Sequence, residues 1–68
     1  MIIAIGIIAG DIWKLLEERG DLALTEIYNR LDHQKDHILM SIGWLAREGH
    51  ITLDKLGEDF QISLREKK

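Results

Sequence analysis

His33 and His37 stand four residues apart, with Asp32 and Asp36 beside them. If both lay on a helix, the two imidazoles would share a face, and with a carboxylate they would form a donor set that zinc accepts. His33 falls in a turn, however, and His50 lies beyond the next helix, so no metal site is expected. Ser41 and Ser63 could act as nucleophiles beside a His and an Asp, but neither has the strand-turn context that poises a hydroxyl. Gly6 and Gly10 sit in an apolar run rather than after a strand, so they do not form a phosphate loop. The chain has no cysteine, which removes disulfides, thiolate metal sites and thiol nucleophiles. No constellation supports catalysis, and the expectation is no enzyme, no cofactor and no small-molecule substrate.

Recognition is the chemistry that does have a pattern. Residues from about Lys35 to Glu48 read as a helix ending at Gly49. At about 100° per residue, Ile38, Ile42, Leu45 and Ala46 cluster on one side with Leu39 at their edge. Met40, Trp44 and Arg47 fall opposite, with Asp36, His37 and Gly43 beside them. Trp and Met offer large contact area, and Gly43 admits a close backbone. Met40, Gly43, Trp44 and Arg47 are therefore the candidate interaction surface, for a second copy in a homodimer or for another protein. The alternative is that Trp44 folds back onto the segments before or after this helix and fills this chain's own core.

Nucleic acid is the second partner class to weigh. Gln34, Lys35, His37 and Ser41 lie at or near the start of this helix, with Arg47 on its outer face and Lys55 further on. These are the candidate phosphate or base contacts. Between Gln34 and His50, Lys35 and Arg47 are balanced by Asp36 and Glu48. The whole chain carries a net charge of −3. Phosphate neutralisation dominates DNA affinity, so DNA binding is expected to be weak at most.

The elements that position these residues follow from periodicity. Ile5, Ile8, Ile12 and Leu15 or Leu16 recur at helical steps from about Ile5 to Arg19, and Gly20 is a natural stop. Asp21 to Leu24 reads as a short extended stretch, and Thr25 as an N-cap for a helix from about Glu26 to Leu31. After Gly49 the period changes to two. His50 to Leu53 and Phe60 to Arg65 alternate about the polar stretch Asp54 to Asp59, which predicts a β-hairpin. Ile51, Leu53, Phe60, Ile62 and Leu64 would form its buried face. Three helices plus a C-terminal β-hairpin wing give an α+β chain with the winged helix-turn-helix order.

The run Leu45-x-x-x-Gly49-x-Ile51 resembles the passage from recognition helix to wing in many prokaryotic winged-helix regulators. Ala9-Gly10-x-Ile12-Trp13, with Leu39-Met40-x-Ile42-Gly43-Trp44-Leu45-Ala46-Arg47-Glu48, is similar to a family of very short prokaryotic winged-helix proteins of unknown function. The resemblance covers nearly the whole chain. It implies the fold and carries no activity with it.

Sixty-eight residues fit a single domain, 1–68, whose core is marginal at this size. Met1 to Gly10 is an uncharged run that stops at Asp11, about half the length needed to span a bilayer. It also lacks the basic start and small-residue cleavage site of a signal peptide. The expectation is a cytoplasmic chain with no membrane partner.

Overall fold

A computed structural model describes residues 2–65. Helices α1 (Ile2–Arg19), α2 (Leu24–Arg30) and α3 (Lys35–Arg47) come first, with strand β1 (Leu22–Ala23) between α1 and α2, and strands β2 (Ile51–Leu56) and β3 (Asp59–Leu64) follow. The antiparallel sheet has the order β1-β3-β2. This is the winged-helix arrangement expected from the sequence, with α2 and α3 as the helix-turn-helix pair and β2–β3 as the wing. Among the described residues, no helix is long and apolar enough to cross a membrane.

Two glycines end the long helices, as their positions predicted. At Gly20, φ is +84° and the backbone N–H returns to the Leu16 carbonyl at 2.8 Å. At Gly49, φ is +80°, and two bonds close a Schellman cap: Gly49 N to Ala46 O at 3.0 Å and His50 N to Leu45 O at 2.9 Å. The second cap matters for position. It turns the chain out of α3 so that His50 sits beside the helix it has just left.

The core is one aliphatic cluster. Ile8, Ala9, Ile12 and Leu16 from α1 meet Ile27 from α2, Ile38, Ile42 and Leu45 from α3, and Ile51 and Ile62 from the sheet. Apart from Ala9 and Ile27, these residues come from the apolar repeats read in the sequence. α1 reaches further back than its periodicity from Ile5 indicated, because Ile2 to Ala4 continue the helix.

Two local expectations are corrected. Thr25 is not the N-cap of α2: the helix begins at Leu24, Ala23 takes the cap position, and no side chain bonds there. The Thr25 hydroxyl instead donates to Asp59 Oδ2 on β3 at 2.7 Å. The second correction concerns the wing. Register pairs Leu53 with Ile62 and Lys55 with Phe60, so the predicted apolar residues do share one face. Yet only Ile51 and Ile62 are buried, while Leu53 and Phe60 are exposed. Leu53 and Phe60 face Leu24, Leu39 and Gly43 across an open groove rather than a closed layer. The hairpin strands continue through the stretch expected to be a loop, to a tight turn at Gly57 and Glu58. Gly57 supplies φ +62°, as the first position of a II′ hairpin turn requires. Alternation fixes which face a side chain takes, but not whether anything lies under it.

Candidate interaction surface

The outer face of α3 is apolar and open. Leu39 is 51% exposed, Met40 44% and Trp44 48%. Gly43 and Arg47 lie exposed on the same side. Inward, Ile38, Ser41, Ile42 and Leu45 are buried. A stripe with steps of three and four therefore faces solvent, flanked by two grooves.

The first groove, about 350 Å³, lies between α1 and α3. Gly6, Ala9 and Gly10 line the α1 side, and Trp13, Trp44 and His50 supply aromatic walls. The His50 ring stands 4.8 Å from the Trp13 ring and 6.5 Å from that of Trp44, tilted against both. Such tilted contacts suit the aromatic quadrupole. The Trp13 indole N–H donates to Glu17 at 3.1 Å, so its polar edge is satisfied along its own helix. Trp44 thus leans on His50 yet keeps nearly half its surface in water. It is not a core residue.

The second groove, about 260 Å³, lies between α3 and the wing. Its lining comes from Leu24, Leu39, Ile42, Gly43, Leu53, Phe60 and Ile62, with no charged side chain. The exposed face of the hairpin and the exposed edge of α3 therefore meet in one depression. Gly43 lies in its lining, and among the described residues nothing beyond its own turn of helix comes within 4 Å of where a β-carbon would stand. The same openness holds at Gly6 and Gly10, so no other described segment of the chain uses these glycines for close approach.

The candidate nucleic-acid contacts separate. Ser41 is removed from them: it is fully buried, and its one hydroxyl proton is directed to the His37 carbonyl at 2.8 Å, with the Ile5 carbonyl of α1 at 3.3 Å as the alternative acceptor. Its spacing already carried the sign, since Ser41 lies three after Ile38 and four before Leu45, on the inward side of the wheel. Lys35 and Lys55 are engaged within the chain. Lys35 Nζ lies 5.4 Å from the centre of the Tyr28 ring, and Lys55 Nζ lies 5.2 Å from that of Phe60 while donating to the Gly57 carbonyl at 2.9 Å. Gln34 and Arg47 are exposed at opposite ends of α3, and His37 is half-buried. His33 does not join His37: its Nε2 lies 3.1 Å from Asp11 Oδ2 on α1, tying the α2–α3 turn to the first helix.

Sequence reasoning missed Trp13 and His50 as parts of this surface, and Leu53 and Phe60 as walls of the second groove. A signal existed for Trp13, which follows Gly6 and Gly10 along one side of α1. His50 had none, because the cap at Gly49 decides where it goes. The chain has no match among curated proteins or solved structures. Residues 1–64 match the family described as a winged helix-turn-helix domain (DUF2582), and the chain belongs to that family.

Proposed function

We propose that this winged-helix domain is a non-enzymatic binding module that self-associates through the outer face of α3. The observation that carries this reading is the exposure of Leu39, Met40 and Trp44 together on the helix that a DNA-reading domain would line with polar and basic groups. One self-complementary patch serves both sides of a two-fold pair, which is the commonest way for a chain to cover its own apolar surface. The small core adds a reason, since short domains without disulfides gain stability from a partner subunit. The test is molar mass by light scattering across a concentration series, for the native chain and for Met40→Glu. A native chain that stays monomeric at high micromolar concentration defeats the proposal.

A second reading, a small DNA-binding regulator using α3 and the wing, is favoured by the family fold and by the exposure of Gln34, at the N-cap of α3, and of Arg47 in its last turn. Charge opposes it. The wing carries Asp54, Glu58 and Asp59 against Lys55 alone. Binding to labelled duplexes at two salt concentrations separates the readings.

A further inference from the structure

We infer that the self-association surface continues from α3 across the first groove onto α1, with Ile3 and Ile7 seated against a second copy of this chain. The inference rests on the self-association reading and supplies the rest of its interface.

Area requires an extension. A standard stable interface buries roughly 800 Å² per partner. That is about a sixth of this domain's 4770 Å² surface. A whole large aromatic side chain presents about 150–250 Å², so half-exposed Leu39, Met40 and Trp44 together offer only on the order of 300 Å². The α3 stripe by itself falls short, and the contact must run on in one direction or the other.

Exposure selects the direction. Toward the wing, the register places Leu53, Lys55 and Phe60 on one face of the hairpin and Asp54, Leu56 and Asp59 on the other, so the apolar surface added to the α3 stripe is that of Leu53, 44% exposed, and Phe60, 38% exposed, flanking Lys55. Toward α1, the lining of the groove carries no carboxylate and one cation, Lys14. Beyond it stand Ile3, 79% exposed, and Ile7, 60% exposed, the two most exposed large apolar side chains described. Trp44 and Gly6 both line the groove, which makes the α3 stripe and the α1 face one surface. Two protruding isoleucines beside a groove without side chains at Gly6 and Gly10 supply both a projection and a recess, as a self-complementary contact needs.

The experiment is sedimentation velocity on the full chain over a concentration series, with circular dichroism melts, for native protein, Ile7→Arg, Gly10→Leu, Met40→Glu and Phe60→Asp. Gly10→Leu is informative because, among the described residues, nothing beyond its own turn of helix comes within 4 Å of the new β-carbon, and Leu is the better helix former. It should leave the monomer folded while filling the recess. The expected result is a native dimer whose dissociation constant rises at least tenfold in Ile7→Arg, Gly10→Leu and Met40→Glu and is unchanged in Phe60→Asp. A dimer broken by Met40→Glu but unaffected by Gly10→Leu and Ile7→Arg overturns the inference and leaves the α3 reading standing. A dimer weakened by Phe60→Asp alone shows that the surface runs toward the wing, which also overturns it. A monomeric native chain overturns both.

Discussion

The Thr25 hydroxyl and the Asp59 carboxylate meet at 2.7 Å, joining the first turn of α2 to the first residue of β3. The other Asp59 oxygen accepts the Phe60 backbone N–H, also at 2.7 Å. The Thr25 bond, then the Phe60 bond, holds the Asp59 carboxyl below the usual carboxylate range. A carboxyl with a lowered folded pKa adds stability above its unfolded value of about 3.9 and loses it as pH falls toward the folded value. Thr25→Val should therefore flatten the loss of melting temperature between about pH 5 and about pH 2, with little change in the shape of the curve near neutrality. Thermal melts across that range check it. An acid limb identical to that of the native chain would show that the bond does not persist in solution.

The α3 surface predicts different outcomes for neighbouring residues. Ile38 is fully buried, so Ile38→Ala should cost about 2–5 kcal/mol, enough to threaten a domain of this size. Leu39→Ala should change monomer stability by no more than about 0.5 kcal/mol, because Leu39 is half in water. It should weaken self-association instead. Urea melts at low protein concentration, set beside sedimentation of the same variants, separate the two effects.

Trp44→Arg should remain folded and become monomeric. Its contact with His50 at 6.5 Å is peripheral, and Trp44 stands outside the aliphatic core cluster. Loss of a buried Trp contact, about 1.5–3 kcal/mol before association costs, corresponds to a dissociation constant raised by roughly tenfold or more. An unfolded Trp44→Arg chain in circular dichroism would place Trp44 in the structural core after all.

Gly57→Ala should destabilise the wing by about 1 kcal/mol through backbone conformation alone, since φ is +62° and, beyond its chain neighbours, no described residue comes within 4 Å of the new β-carbon. Denaturant melts would reveal it. A neutral outcome would mean that the turn relaxes to another geometry.

Duplex DNA should bind weakly, without sequence preference, and with a salt slope of no more than about 3, the release expected from Lys35, Arg47 and Lys55 together. Titration of labelled duplexes at low and near-physiological salt measures this. Sub-micromolar, sequence-selective binding at the higher salt would restore α3 as a reading helix.

The helices, their glycine stops and the aliphatic core were legible in the sequence because each depends on local periodicity. Ile8, Ile12, Ile38, Ile42 and Leu45 recur at the helical step, and that step alone aligns them on one face of each helix. Gly20 and Gly49 mark left-handed caps for the same local reason. The outward position of Met40 and Trp44 could also be read from the helical wheel. What the wheel could not supply was their surroundings. Thr25 bonds Asp59 rather than its own helix end because the fold brings a carboxylate from β3 within reach. Leu53 and Phe60 took the expected face but stayed exposed, because burial needs a closed opposing layer and they meet Leu24, Leu39 and Gly43 only across an open groove. The two grooves, and the placing of His50 between Trp13 and Trp44, exist only once α1, α3 and the wing are packed together. Periodicity sets the direction in which a side chain points; tertiary packing decides what it meets there.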